Sequence, residues 1–138
     1  MRVILAALLL CVSIPVHASW LMPQVPASYT RHLAHVSGNH LHYGACDKFG
    51  RKQCGCTASI LTFGKILPGL PAVSEWLRQF ARTTPHVGAA AIWPGQHVEI
   101  VTAVHGRTVD TRGSVGWRNV PVSRLVFVDP SRRRYAGL

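Results

Sequence analysis

Residues 51–67 read RKQCGCTASILTFGKIL. Two cysteines, Cys54 and Cys56, stand one residue apart at the mouth of an apolar segment. From Thr57 onward the segment predicts a helix of about three turns. Ile60, Leu61, Ile66 and Leu67 are its expected buried residues, with Phe63 near one edge. Gly64 costs about 1 kcal/mol against Ala inside a helix, so it marks either close packing or the helix end. A thiol at the start of such a helix sits in the positive end of the helix dipole, beside free backbone N–H groups. Both favour thiolate.

Three jobs are open to the Cys-Gly-Cys. A structural zinc site wants four ligands from paired C-x₂₋₄-C spacings. Here one residue separates the pair and no second pair exists, even if His97 or His105 is added, so no metal or other cofactor is expected. A disulfide between Cys54 and Cys56 is sterically poor across one glycine. Cys46 can pair with either, closing a loop of about ten residues and adding about 2–3 kcal/mol. The third job is that of a nucleophile. The N–H groups that favour a thiolate also hold an oxyanion during acyl transfer, and Gly55 would let a substrate backbone approach.

Downstream, LPGLP breaks the chain. AVSEWLRQFAR then spaces Val73, Trp76, Leu77 and Phe80 for a second helix, with Ser74 or Val73 at its start. After residue 86 the period changes. VGAAAIW (87–93), HVEIVTAV (97–104), RTVDT (107–111) and RLVFVDP (124–130) predict three or four strands joined by short turns, hence an antiparallel meander. Glu99 and Thr102 interrupt the second strand, and Pro130 stops the last. Helices first and strands afterwards give an α+β domain over 46–130, followed by a basic tail over 131–138.

Upstream, Arg2, an apolar run over 3–14, and Val16 and Ala18 at small-residue positions form a signal-peptide pattern over 1–18, cleaved near Ala18. The apolar run falls short of the ~20 residues a bilayer span needs, so no transmembrane segment is expected after processing. Residues 19–45 carry Pro, Gly, Ser and His32, His35, His40 and His42 without a period, and read as an irregular arm. The protein is therefore expected to be secreted or periplasmic, and monomeric. Loss of 1–18 removes Cys11 and Arg2, leaving three cysteines and a net charge of +9 from the +10 of the whole chain. Three cysteines in an oxidising compartment allow one internal disulfide and leave one thiol over. The positive charge suits an anionic envelope polymer. No nucleic-acid motif is present, so no specific nucleic acid is expected.

A thiol nucleophile needs a base, typically an imidazole. His97 opens a strand after the Pro94-Gly95 turn, where its ring can face a helix terminus. A third polar group should orient that ring. Asp110, on the next strand, is the candidate if the two strands form a hairpin. His105, beside a turn glycine, is expected to be exposed.

The segments CGCTASILTFG, PHVGAAAIWPGQHVEIVTAVHG and RLVFVDP, with a Trp-bearing helix between the first two, resemble small exported bacterial proteins of the papain-like CHAP and NlpC superfamily. The similarity covers roughly residues 50–130. It lies in the order of a cysteine that opens a helix, a histidine that begins a strand, and a polar residue after it. The resemblance implies a papain-like fold: N-terminal helices, the first carrying the Cys, packed on a small antiparallel sheet carrying the His. It implies a thiol peptidase or amidase, often acting on peptidoglycan peptides. Cys54 matches the nucleophile, His97 the base, and the third position falls near Asp110. This chain departs from the family in having Cys56 and Thr57 where many relatives have bulky residues. Cys56 therefore stands as the alternative nucleophile, with Cys54 then bonded to Cys46, as papain-type enzymes keep a structural cysteine just ahead of the reactive one. Two other functions compete: a catalytically silent module of the same fold that binds cell wall or another anionic partner, and a basic polyanion-binding protein.

Overall fold

The computed structural model describes residues 40–134. The expected signal peptide, residues 19–39 of the arm with His32 and His35, and residues 135–138 of the tail lie outside them. The chain is α+β. Helices α1 (Gln53–Phe63) and α2 (Val73–Gln79) precede a six-stranded antiparallel sheet. Its strands are β1 (Phe80–Arg82), β2 (Ala90–Trp93), β3 (His97–His105), β4 (Thr108–Arg112), β5 (Val120–Pro121) and β6 (Val126–Arg133). Among the described residues no helix is long and apolar enough to cross a membrane.

The first helix differs from its expected extent at both ends. It begins at Gln53, after a 3-10 stretch over Gly44–Lys52, so Cys54 and Cys56 lie within its first turn. It ends at Phe63 because Gly64 turns left-handed (φ 67°) and returns its N–H to the Ile60 carbonyl at 2.8 Å, a glycine C-cap. Ile66 and Leu67 leave the helix yet still pack on the core. Ser59 anchors their return: its hydroxyl donates to the Lys65 carbonyl and accepts from the Leu67 N–H, each at 2.9 Å.

Gly55 has a different role from the one expected of it. A Cβ there would collide with the carbonyl oxygens of Leu70 and Pro71. The close backbone approach is that of the chain's own 70–71 segment, not of a substrate. The indole of Trp76 holds that segment by donating to the Leu70 carbonyl at 2.8 Å. Gly55→Ala should therefore lower stability by about 2–3 kcal/mol, the cost of overpacking against backbone that cannot rotate away. Urea unfolding of the two proteins measures it, and an unchanged midpoint would contradict the packing described.

Phe80 is not the last residue of the second helix. Its backbone is extended (φ −115°, ψ 151°), and it opens β1 fully buried against Trp76 and Phe63, with ring centroids at 5.5 and 5.8 Å. The sheet is also not a simple meander. Strand order is β1-β6-β2-β3-β4-β5, so the last strand inserts between the first and second. Alternating hydrophobicity sets which face of a strand is buried but leaves open which strand lies beside it. β6 also runs to Arg133 instead of stopping at Pro130. Between the pairs Ala81↔Asp129 and Phe80↔Arg133 the register shifts, and Pro130 falls in that bulge, where no ladder N–H is demanded of it.

The sheet separates two apolar clusters. On one face α1, α2, Leu41 and Tyr43 cover Ala90, Ile92, Val98, Ile100 and Val128. On the other, Ala89, Ala91, Val101, Val109 and Phe127 pack beneath Trp93 and Trp117. β2 and β3 are joined by Trp93-Pro94-Gly95-Gln96. Gly95 has φ 73° and the Gln96 N–H reaches the Trp93 carbonyl at 3.0 Å, the proline-glycine pattern of a type II turn. That turn sets His97 directly across from Trp93.

Candidate active site

Three cysteines lie among the described residues. Cys46 and Cys56 form a disulfide (S–S 2.06 Å, Cα–Cα 5.7 Å), and Cys54 is free. Both bonded cysteines are buried. The bridge ties the 3-10 stretch to the first turn of α1, whose N-cap residue Lys52 makes no capping hydrogen bond through its side chain. Thr57 adds a hydroxyl contact to the Cys46 sulfur at 3.9 Å. Replacing Cys46 and Cys56 together by Ser should cost about 2–3 kcal/mol, from the loop entropy returned to the unfolded chain. Guanidinium unfolding checks this, and a change within error would mean the bridge does not restrain the folded protein.

Cys54 is the second residue of α1 and His97 the first of β3, and the start of α1 meets the start of that strand. Thiol and imidazole lie close enough to shift each other's proton affinity, the thiol downward and the imidazole upward. The imidazole Nε2 lies 2.9 Å from Glu99 Oε1. The chain thus forms a relay of thiol, imidazole and carboxylate.

Asp110 is not part of it. Its carboxylate pairs with His105 Nε2 at 3.0 Å and accepts the Asn119 N–H at 2.8 Å. His105 closes the far end of β3, about 26 Å along the strand from His97. The hairpin expected between β3 and β4 does form. Its register simply places Asp110 opposite Ala103, so the carboxylate serves the turn.

The orienting group is Glu99, which sequence reading took as an interruption in a β-branched run. Two residues after His97 on one strand, it shares a face with it. Its exposure is 0 %, and its carboxylate is fully engaged. Oε1 accepts the Val115 N–H at 2.7 Å and the Gly116 N–H at 3.0 Å; Oε2 accepts the Thr111 hydroxyl at 2.6 Å. The Trp117 N–H completes the cradle at 3.4 Å. Gly113 is required beside it, since a Cβ there would stand 2.8 Å from Glu99 Cγ. The available signal was a charged residue placed in phase with His97 on an otherwise apolar strand. An unpaired buried charge is too costly to persist.

The electrostatics follow from these contacts. Burial pushes the Cys54 thiol up, but the hydrogen bond and charge of His97, with N–H groups of Val98 and Gly55, outweigh it and hold the thiol below its ordinary 9.0. Burial pulls His97 down, yet its bonds to Cys54 and Glu99 prevail and raise it from 6.5 to about 9. Burial likewise pushes Glu99 up, and His97, Thr111 and the Gly116 and Val115 amides together bring it below 4.5. The arrangement favours thiolate beside imidazolium.

Two half-buried tryptophans flank the histidine. The Trp117 ring lies 4.6 Å from His97 and 3.9 Å from Trp93, centroid to centroid. Such π faces suit a cationic imidazolium. Cys54 is 5 % exposed and the His97 side chain 16 %, so the pair sits just beneath the surface. Lys48, Arg51 and Lys52 are exposed on the stretch leading into Cys54, and Arg118 follows Trp117. Among the described residues no group of three or more His, Cys, Asp or Glu side chains is placed to hold a metal.

No protein-family model matches the chain, and no curated protein or solved structure matches it either.

Proposed function

We propose that this protein is an exported papain-like thiol hydrolase, a peptidase or amidase of the CHAP and NlpC type acting on peptidoglycan peptides. One observation carries the reading: of three neighbouring cysteines two are bonded to each other, and the third is free and electrostatically coupled to a histidine whose Nε2 meets a buried carboxylate. Disulfide chemistry agrees with export, and the exposed cations beside Cys54 agree with an anionic wall substrate.

In this reading the Cys54 thiolate attacks the scissile carbonyl carbon. Backbone N–H groups of residues 54–57 at the start of α1 stabilise the oxyanion. His97, already protonated, gives its proton to the leaving amine as the C–N bond breaks, leaving a thioester on Cys54. His97 then takes a proton from water, the hydroxide adds to the thioester, and the acid departs as the thiolate is restored. Glu99 keeps the imidazole in plane with both partners and stabilises its charge.

The test is incubation of the mature protein with purified peptidoglycan and short muropeptides, followed by detection of new amino termini. Release by the wild type that vanishes in Cys54→Ala supports the reading. A folded wild type that releases nothing from any of these substrates counts against it. The slight exposure of Cys54 favours one second reading, a wall-binding module without turnover. Salt-sensitive binding to peptidoglycan, unchanged in Cys54→Ala and without cleavage, would select it.

A further inference from the structure

At the far end of α1, about 13 Å along the helix from Cys54, lies a cavity of about 440 Å³. That volume is in the range of small-ligand sites. Thr62 and Phe63 form its helix wall, His86 and Val87 its rim, and Asp129 and Pro130 of β6 the opposite side. The chain holds 15 Lys and Arg against 5 Asp and Glu, yet the lining contains a carboxylate and neither Lys nor Arg.

Asp129 is the carboxylate of this wall. Asp129 Oδ1 accepts the N–H of Ser131 at 2.9 Å and its hydroxyl at 2.6 Å, an arrangement that fixes the carboxylate and leaves Oδ2 for a ligand. The Ser131 contact, with the charges of His86 and of Arg132 outside the lining, keeps the carboxyl below its ordinary range. His86 Nδ1 lies 3.0 Å from the Thr84 carbonyl and donates to it. The Thr62 hydroxyl is buried without a hydrogen-bond partner. Phe63, Val87 and Pro130 supply apolar surface beside this carboxylate.

We propose that this cavity binds small organic ammonium ions, with the cationic nitrogen on Asp129 and the alkyl stem against Phe63 and Pro130. The site does not depend on the hydrolase reading, because no residue of the thiol–imidazole–carboxylate relay lines it.

The experiment is an NMR titration of the full mature chain with butylammonium chloride, following the amides of Gly88 and Ser131. Sodium butyrate and butanol serve as controls of equal stem length. Saturable shifts are expected from butylammonium, with both controls weaker by about tenfold, the worth of one hydrogen bond to a charged group. Asp129→Asn should weaken binding by a similar factor. His86→Lys, at an exposed rim position, should do the same by placing a like charge beside the ligand. Equal binding of butyrate, no saturable shift at either amide, or butylammonium binding unchanged in His86→Lys would each overturn the proposal.

Discussion

Cys54→Ala should abolish release of new termini from peptidoglycan while leaving the fold in place. Loss of the nucleophile from a cysteine–histidine pair removes the covalent route altogether, and a fall of at least about 10⁴-fold is expected. His97→Ala should approach the same loss, because the two residues act as one unit and their effects do not add. Cys54 lies at the rim of the core, not in its centre, so circular dichroism and the unfolding midpoint should change little. Amine release measured for wild type, Cys54→Ala and His97→Ala on one muropeptide decides the matter. Persistent turnover in Cys54→Ala would assign the reaction to another group.

Glu99 substitutions should have the largest effect on stability. Glu99→Leu leaves the N–H groups of Val115 and Gly116 and the Thr111 hydroxyl without an acceptor, and strips His97 of its counter-charge. Breaking a buried pair of this kind costs on the order of 3–5 kcal/mol. Glu99→Gln keeps the shape but turns an NH₂ toward donors on either side, so about 2 kcal/mol should still be lost. The two variants separate packing from charge. Both should also lower the affinity of His97 for its proton and slow Cys54 chemistry near neutral pH.

The pH dependence has a definite sign for each group. Glu99 is lowered on folding, so its contribution to stability is present above 4.5 and is lost as pH falls through its folded value. His97 is raised, so its contribution is whole below 6.5 and is lost as pH rises through about 9. Glu99→Gln should therefore flatten the acid limb of a stability–pH profile. Urea unfolding across the acid range measures it, and an acid limb identical to wild type would contradict the burial of Glu99.

Local signals in the sequence placed Cys54 and His97 at the ends of their elements. The Pro94-Gly95 turn and the β-branched run after it place His97 at a strand start, and an apolar helix behind Cys54 places the thiol at a helix start. What the sequence could not rank was the partner of Cys46, because spacing permits either cysteine; in the folded chain it is Cys56. Asp110 attracted attention because the neighbouring strand is the obvious place for an orienting group. Glu99 escaped it because a carboxylate in a strand usually faces water. Here a backbone cradle 16 to 18 residues downstream makes burial affordable in energy, and no local pattern announces that loop. The insertion of β6 between β1 and β2 was hidden for a similar reason, since strand order depends on long-range packing.

The proposed hydrolysis requires a Cys54 thiolate beside a protonated His97. The direct measurement is the iodoacetamide alkylation rate of Cys54 as a function of pH, in wild type and in His97→Ala. An ordinary cysteine is roughly 0.3 % thiolate at pH 6. Wild type should react faster than His97→Ala there, and the two should converge only as pH approaches about 9. Superimposable profiles that both rise only toward that alkaline limit would contradict the account.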